Sequence, residues 1–483
     1  MGAAYSIAFQ AQQTSAHFAL VAAMAGHPWT LRERMVVVDL GCGRGHVAQV
    51  LAAANPGWTV FGLDHDAAAI AEARQLAARA GLSNANFLEL DLAALDGAEL
   101  EPLPECDVVM AHGIWGWVSD AVRAGVVRFL ARRLKPGGLA YVGTNALPAA
   151  GAEAGLQRLL RHLAGGEASA EAAADAMSRL RALAGSGGLP LPRTPMLERL
   201  LAEPCVLEPG FVAHEFLTPH WRPVFHEDLA AALAPARLEF LGSCNLAEAL
   251  PALVGTPAQR AALAPLEGME FTKDLLLPRA FRADLFVRGR RRVEPDAAMD
   301  ALPLAAWQAP PAASPALRTA EGRAALPEAA WAPIAARLAE GPARLGALRA
   351  AVPEALRPQP AELLALLVDT GLCLPVFRAP ATAPSATRFN RAAAAFHAPG
   401  GAGTGHFALA SPVAAGGVPA GALDLALVGA LLAGGDADNP EALLAQFQPG
   451  LGGGARLAAL SRIRARLAEA LPLWRRFGIL PAA

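Results

Sequence analysis

The feature that most constrains the fold is a glycine-rich stretch, VVVDLGCGRG, at residues 36–45. It joins a run of β-branched residues, which is typical of a buried strand, to a helical pattern that starts at His46. Glycines at positions 41, 43 and 45 allow a tight turn and the close approach of a ligand to the backbone. A glycine loop between a strand and a helix predicts a site for a nucleotide-type ligand.

Strands and helices alternate along residues 35–144. The predicted strands are MVVVDL, WTVFGLD, NFLELD, CDVVMAH and LAYVGT. The predicted helices cover residues 46–54, the segment AAAIAEARQLAARAG with Gly81 as its C-cap, and residues 120–134. Strands linked by helices require right-handed crossovers, so the pattern predicts an α/β fold with a doubly wound, Rossmann-like and mostly parallel sheet.

A helical insertion is predicted for residues 147–210, where the periodicity is helical and the composition is rich in Ala and Gly. The α/β pattern returns in residues 211–290. There FVAHEFL is expected to be extended, HEDLAAALAPA to be helical, and LEFLGSC and RADLFVRG to be strands. The last two would complete the same sheet, with the final strand antiparallel, so that one domain covers residues 1–290.

Three further segments follow this core domain. Residues 291–316 are predicted to form a linker, and an extended, semi-rigid backbone is expected at its Pro/Ala-rich stretch QAPPAASPA. Residues 317–380 show the order helix, short helix, helix and strand, which is the order of a winged-helix-like module. Residues 381–483 are predicted to form an α-rich module with two helical patterns, GALDLALVGALLAGG and ARLAALSRIRARLAEALPLWRRFGIL.

Charge and hydropathy exclude several partners. The net charge is −2 without a basic stripe, which argues against nucleic acid. The helix PAELLALLVDTG contains no arginine, so docking of a protein or a homodimer contact is favoured over DNA binding. The apolar stretch HFALASPVAAGGVPAGALDLALVGALLAGG is interrupted by prolines and by Asp424, so no membrane span is predicted.

Cysteine and histidine spacing argue against disulfides and metal sites. The five cysteines are scattered and no secretory signal is visible, which fits a cytoplasmic protein. The segment HEFLTPHWRPVFHED lacks the H-E-x-x-H spacing, and its prolines would break a helix that presents ligands together. We therefore predict no metal, and a helix start with acidic residues in its first turn. The residues weighed for metal binding are His214, Glu215, His220, His226, Glu227 and Asp228.

Three carboxylates accompany the glycine loop. The spacing D-x-G-x-G-x-G differs from the G-x-G-x-x-G of a dinucleotide site, and Asp39 would repel a pyrophosphate but suit a cationic amine. Asp64, which ends the second strand, suits the two hydroxyls of a ribose, and Asp91, after the third strand, suits an adenine amino group. An amine, a ribose diol and an adenine together describe S-adenosylmethionine. The alternatives are an ordinary glycine turn and a dinucleotide-dependent dehydrogenase.

On these motifs the chain resembles class I S-adenosylmethionine-dependent methyltransferases, through VVVDLGCGRG, VFGLDHD, LELDL and LKPGGLAYVGTN. It resembles more closely a bacterial subgroup with a methyltransferase regulatory domain, which includes protein-lysine methyltransferases acting on outer-membrane proteins. The motifs of that resemblance are AHGIWGWVSDAVR, AHEFLTPHWRPVFHEDLAAALAPARLEFLGSC and FRADLFVRG. YSIAFQAQQTSA, LLALLVDTGLCLPVF, FALASPV and RRFGIL are similar to further parts of that group, although residues 12–14 lack its proline.

The resemblance implies S-adenosylmethionine as cofactor and S-adenosylhomocysteine as product. The predicted cofactor-binding residues are Asp39, Gly41, Cys42, Gly43, Gly45, Asp64, His65, Asp91, Leu92, Ala111 and His112. The predicted catalytic residues, which would line the acceptor site after the fourth strand, are His112, Trp115, Trp117 and Tyr5. Asn145, just past the fifth strand, is a further candidate.

Each acceptor-site candidate has a structural alternative. The two tryptophans would wall a channel for a long cationic side chain, or would pack the following helix against the sheet. His112 would contact a ligand or make a structural hydrogen bond, and Tyr5 would be a lid or part of a disordered terminus.

The functional hypothesis is in-line transfer of a methyl group to a nitrogen of a protein or peptide, with lysine as the favoured acceptor. The alternatives are N- or O-methylation of a small molecule and a catalytically silent cofactor-binding scaffold.

Overall fold

The computed structural model describes residues 7, 9–95, 103–189, 191–205, 207–266, 269–397 and 405–482. Seven strands form one sheet in the order β3-β2-β1-β4-β5-β7-β6. They are β1 (Val36–Leu40), β2 (Thr59–Asp64), β3 (Ala85–Glu89), β4 (Cys106–His112), β5 (Leu134–Asn145), β6 (Leu238–Ser243) and β7 (Phe281–Arg288). The first five pair in parallel, and β7 is antiparallel to β5 and β6. The predicted doubly wound, Rossmann-like sheet is confirmed, including its antiparallel strand.

Helices cover both faces of this sheet, because successive side chains of a strand point to opposite faces. Val37, Val108 and Tyr141 pack with α1, α2 and α3, whereas Val38 and Val109 pack with α4 and α9. These helices are α1 (Ser15–Met24), α2 (His46–Ala54), α3 (Ala67–Ala80), α4 (Asp120–Arg133) and, later in the chain, α9 (His226–Leu233). Since α2 begins at the glycine loop, the loop lies at the carboxyl end of β1.

The predicted helical insertion forms a small core of its own. Its helices are α5 (Ala154–Leu163), α6 (Ala170–Gly185), α7 (Pro195–Leu201) and α8 (Pro209–Phe216). The expectation that FVAHEFL is extended was wrong, since it lies in α8. The physical reason is that Pro209 suits the first helical turn, and Val212, Ala213 and Phe216 recur at helical spacing and are buried.

A buried ionic network fastens the segment before β7 to the sheet. Arg282 is 1% exposed, and its guanidinium binds Asp274 at 2.5 Å and Asp284 at 2.8 Å. His226, at the start of α9, lies 2.8 Å from the same Asp284 carboxylate. As predicted, acidic residues (Glu227 and Asp228) occupy the first turn of α9. The remaining helices of this segment are α10 (Pro257–Ala262) and α11 (Glu270–Leu276).

Residues 291–316 contain regular structure on either side of QAPPAASPA, which itself has no helix or strand before its last residue. They include α12 (Pro295–Asp300), β8 (Pro303–Ala306) and the first residue of the hairpin strand β9 (Ala316–Thr319). The strand forms because Leu304, Ala305 and Ala306 are buried at the centre of the sheet β11-β8-β12. The following elements are β10 (Gly322–Ala325), α13 (Glu328–Glu340), β11 (Ala343–Arg344), α14 (Leu345–Ala350), α15 (Pro360–Asp369) and β12 (Cys373–Pro375). The three helices and the final strand follow the predicted order, but the hairpin of β9 and β10 and the strand β11 were not predicted. The winged-helix-like assignment stays a prediction.

The C-terminal module packs on the seven-stranded sheet domain through one continuous hydrophobic core. Its elements are α16 (Pro384–His397), β13 (Phe407–Ser411), β14 (Gly416–Ala420), α17 (Ala422–Leu432), α18 (Pro440–Phe447) and α19 (Gly453–Arg476). Ser385 Oγ donates to Ala53 O at 2.7 Å, and Arg388 Nε donates to Ala80 O at 3.2 Å. The module therefore caps the C-terminal ends of α2 and α3. Within the described ranges, no helix is long and apolar enough to cross a membrane.

Candidate active site

The glycine loop accepts only glycine at two of its positions. Gly41 and Gly45 both have φ of 70°, and Gly43 has φ of 52°, which is the left-handed region. A Cβ atom at Gly41 would lie 2.3 Å from Ile114 Cγ2, and one at Gly45 would lie 2.4 Å from Phe87 Cε1. Conformation and space therefore both require the absence of a side chain at Gly41 and Gly45.

Two buried carboxylates flank this loop, at the ends of β1 and β2. Asp64 accepts from the backbone N–H of Gly43 at 2.7 Å and from that of Asp66 at 3.0 Å. Burial alone would raise the pKa of Asp64, but the His65 ring and these two N–H groups hold it below its ordinary value. Asp39 is 7% exposed, and burial together with the nearby Asp64 charge raises its pKa to about 7. A bound cation would favour the ionised form of Asp39.

The other predicted cofactor residues surround these acids. Cys42 is half-buried, and burial raises the pKa of its thiol well above the ordinary range, so it is a neutral group beside the loop. His65 lies 3.3 Å from Asp64 and is mostly exposed, and the hydrogen bond to Asp64 raises its pKa. Asp91 is exposed past β3, where it accepts from Ala93 N at 2.8 Å and caps the short turn that begins at the buried Leu92. The structure thus brings these residues to one edge of the sheet.

His112 ends β4 beside the buried Ala111, and it has a fixed structural partner. Its Nδ1 atom lies 2.7 Å from Tyr141 Oη, and its ring stacks on the Tyr141 ring. Burial lowers the pKa of His112 to about 4, so the imidazole is neutral at physiological pH. The structural hydrogen bond is present, and a contact with a ligand stays a prediction. The predicted lid residue Tyr5 lies outside the described residues.

The two tryptophans of AHGIWGWV face different surroundings. Trp115 is 3% exposed and lies in the core between the sheet and α4, where Arg123 Nε donates to its carbonyl oxygen at 2.9 Å. This placement agrees with the packing alternative, and a role in the acceptor site stays a prediction. Trp117 is half-buried, stacks against His214 and donates from Nε1 to the carbonyl oxygen of Glu215 at 3.1 Å. Of the pair, Trp117 is therefore the one that faces the helical insertion.

The structure adds Glu215, which sequence analysis considered only as a metal ligand. Asn145 Nδ2 donates to Glu215 Oε1 at 3.2 Å, so the acid meets the residue that ends β5. Burial raises the pKa of Glu215 to about 7, opposed in part by the hydrogen bond from Asn145. A sequence signal existed: Glu215 follows Val212 by three residues and so shares the apolar face of α8. The described residues contain no group of three or more His, Cys, Asp and Glu side chains that would hold a metal ion.

Comparisons with known proteins agree with this architecture. A family model described as a methyltransferase domain matches residues 37–138, and one described as a predicted methyltransferase regulatory domain matches residues 208–288. These matches confirm the predicted class I methyltransferase domain, for which S-adenosylmethionine is the cofactor, and the predicted regulatory domain.

Among solved structures, PKMT2 from Rickettsia typhi superposes with a TM-score of 0.69 at 17% identity, over 98% of this chain and 99% of that one. Its complex with AdoHcy also gives 0.69, at 16% identity, over 99% and 100% of the two chains. These likenesses establish the fold along nearly the whole chain.

Two curated relatives match shorter stretches. The uncharacterized protein sll1526 of Synechocystis is 28% identical over 321 residues, which cover 64% of this chain and 62% of that protein. Trans-aconitate 2-methyltransferase of Methylobacterium nodulans is 35% identical over 147 residues, which cover 30% of this chain and 50% of that enzyme. The chain thus spans about half to three-fifths of the length of these relatives.

Proposed function

We propose that this protein, which carries an S-adenosylmethionine-dependent methyltransferase domain followed by a methyltransferase regulatory domain, methylates a nitrogen of a protein substrate. Lysine is the favoured acceptor. The bound cofactor would supply an electrophilic methyl group on a sulfonium. The protein's own residues would bind the cofactor, align the acceptor and exclude water.

The residues at the edge of β1, β2 and β3 fit this cofactor. The loop at Gly41, Gly43 and Gly45 carries no side chains, so it would contact the cofactor through its backbone. Asp39 would hold the amino-acid amine, whose positive charge would keep the carboxylate ionised at neutral pH. Asp64 would accept the ribose hydroxyls, and the turn at Asp91 and Leu92 would border the adenine.

The acceptor side carries the choice of substrate. A single observation supports a cationic acceptor: at the carboxyl ends of β4 and β5, the Trp117 ring stacks on His214 beside the half-buried Glu215. Aromatic faces and carboxylates attract ammonium groups. The whole-chain likeness to PKMT2 agrees with the protein-lysine methyltransferases that the sequence resembles.

The transfer itself would be an in-line displacement. The acceptor nitrogen would donate its lone pair to the methyl carbon while the carbon–sulfur bond breaks and its electron pair returns to sulfur. Alignment of the two reacting atoms at about 3–3.5 Å would supply most of the rate enhancement. A lysine ammonium would have to lose a proton first, because it has no free lone pair.

Methylation of a small molecule is the second candidate, because the relative with 35% identity is a trans-aconitate methyltransferase. Trans-aconitate is a polycarboxylate, and Glu215 would disfavour such an anion at the acceptor site whenever it is ionised. The 30% of this chain that aligns with that enzyme is also too short to include the regulatory and C-terminal segments.

Two measurements test the proposal. Calorimetric titration with S-adenosylhomocysteine should show binding, and an absence of binding would favour the silent scaffold. Transfer of labelled methyl groups into a lysate of the source organism, separated into proteins and small molecules, should label proteins. Hydrolysis of the labelled proteins should then release methyl-lysine. Label confined to small molecules would refute the protein acceptor.

A further inference from the structure

A lysine acceptor presents a protonation problem. Its ammonium has a pKa of about 10.4 in water, so at neutral pH almost every acceptor is protonated and unreactive. A positioned proton acceptor contributes typically 10²- to 10⁴-fold to such a step. We infer that Glu215 takes the proton from the acceptor ammonium and that Asn145 positions the Glu215 carboxylate. This inference rests on the function proposed above.

The position of Glu215 fits this role. Its Oε1 atom accepts from Asn145 at the end of β5, and its backbone oxygen accepts from Trp117 in the loop after β4. Both contacts lie at the carboxyl edge of the sheet, where a doubly wound fold binds its ligands. The preceding residue, His214, experiences the charge of Asp64, so the end of α8 lies near the cofactor side as well.

The end of α8 is held rigidly. Gln157 Nε2 donates to Phe216 O at 2.9 Å and to Thr218 O at 3.1 Å, and Thr218 Oγ1 donates to Trp117 O at 3.0 Å. A carboxylate whose backbone is fixed on both sides loses little entropy when it accepts a proton from a bound amine.

Two buried oxygens at the end of β5, which both lie close to Gly116, lack hydrogen-bond partners among the described residues. They are Asn145 Oδ1 and Thr144 Oγ1, and both residues are less than 10% exposed. Buried polar atoms are nearly always paired in native proteins. An ammonium has three N–H donors, so a bound acceptor would supply donors to the carboxylate and to these oxygens together.

The electrostatic surroundings suit proton exchange near neutral pH. Glu215 contacts Asn145 of β5 through its carboxyl group and Trp117, from the loop after β4, through its backbone oxygen, and His214 precedes it on its own helix. Burial lowers the pKa of His214, which keeps it neutral. Burial also raises the pKa of Glu215 to about 7, where a base accepts and releases protons with equal ease.

The other titratable groups of the site are less suited. His112 has its Nδ1 atom engaged by Tyr141 and a pKa of about 4, which makes it a weak base. Asp39 and Asp64 flank the glycine loop and would hold the cofactor. In the proposed step the acceptor N–H bond breaks, the proton binds Glu215, and the nitrogen lone pair forms the new bond to carbon as the carbon–sulfur bond breaks. Glu215 then returns the proton to water.

The test compares Glu215→Gln with a matched control, Glu227→Gln, whose acid is exposed in the first turn of α9. Labelled methyl transfer to the protein fraction of the lysate is measured from pH 6 to pH 10.5, and binding of S-adenosylhomocysteine is measured by calorimetry. The wild-type rate should rise with a midpoint near pH 7. The rate of Glu215→Gln should fall by about 10²- to 10⁴-fold at pH 8 and recover toward pH 10, where lysine loses its proton unaided.

Further variants separate a base from a structural group. Asn145→Ala should move the midpoint of the pH profile upward, because the variant lacks the hydrogen bond that stabilises the ionised form of Glu215. Glu227→Gln should match the wild type. A Glu215→Gln variant that keeps the wild-type rate and profile would overturn the inference, as would one that no longer binds S-adenosylhomocysteine. A wild-type protein that labels no protein at any pH would instead refute the proposed function, and the inference with it.

Discussion

Replacing Gly41 by alanine tests whether the glycine loop is shaped by conformation and space together. Gly41 has φ of 70°, and an added Cβ would lie 2.3 Å from Ile114 Cγ2. The left-handed backbone costs an L-residue about 1–2 kcal/mol, and overpacking of a filled site costs typically about 1–3 kcal/mol. The free energy of unfolding should therefore fall by about 2–5 kcal/mol.

A matched control separates the two costs. Gly137 in β5 has φ of 76°, and a Cβ there would meet nothing within 4 Å. Gly137→Ala should thus lower the free energy of unfolding by only about 1–2 kcal/mol. The difference of about 1–3 kcal/mol between the variants is the cost of the clash with Ile114, and relief by Ile114→Ala in the double variant should recover part of it.

The assay combines denaturant unfolding with calorimetric titration of S-adenosylhomocysteine. If the clash displaces the loop from its binding conformation, the dissociation constant of Gly41→Ala should rise roughly 5- to 150-fold, since about 1.4 kcal/mol corresponds to tenfold. Gly137→Ala should bind as the wild type does. Wild-type affinity in Gly41→Ala would refute the reasoning, and so would equal losses of stability in the two variants.

Three further predictions concern the core, the buried Asp39 and the contact of Arg378 with the end of α2. Trp115→Ala should lower the free energy of unfolding, measured in denaturant, by about 3–5 kcal/mol. Trp117→Ala should lower it less but should lose most of the methyl-transfer activity. A larger loss of stability in Trp117→Ala than in Trp115→Ala would contradict the placement of the two side chains. The pKa of Asp39 is raised from 3.8 to about 7, so its contribution to stability is fully present below pH 4 and is lost as the pH rises to 7. Asparagine does not titrate, so the melting temperature of Asp39→Asn should increase relative to that of the wild type between pH 4 and pH 7. A pH-independent difference would exclude this titration. Arg378 donates hydrogen bonds to Ala54 O at 3.0 Å and to Asn55 Oδ1 at 2.7 Å. Arg378→Ala should therefore lower the free energy of unfolding by about 2–4 kcal/mol and speed amide hydrogen exchange at the end of α2. Unchanged exchange would refute the role of Arg378 in holding the end of this helix.

Much of the sheet domain could be predicted because its determinants are local. The β-branched strands, the helix period and Gly81 at the end of α3 each depend on neighbouring residues only. The prediction for FVAHEFL was wrong because its β-branched and aromatic residues favour a strand, whereas the spacing of Val212 and Phe216 favours a helix. In the C-terminal module, the hairpin of β13 and β14 consists largely of small residues, which carry little periodic signal.

The acceptor side shows where sequence reasoning ends. If AHGIWGWV were extended, both tryptophans would point the same way, but Gly113 has φ of 66° and Trp117 N donates to Ile114 O, so the segment turns and the rings separate. Glu215 meets Asn145 across 70 residues of sequence. Its burial, which sets its pKa, depends on the packing of an inserted helix that no local pattern specifies.

The placement of α2 has a thermodynamic consequence. Its first residue, His46, adjoins the glycine loop, and the carbonyl oxygens at its last turn are bound by Ser385 and Arg378 of the C-terminal part. A ligand at the loop stabilises every segment that unfolds together with α2, by about 2.7 kcal/mol at one hundred times its dissociation constant. Cofactor occupancy would then protect α16 and β13 from proteolysis at a distance. The extent of that protection measures how far the two parts unfold as one cooperative unit.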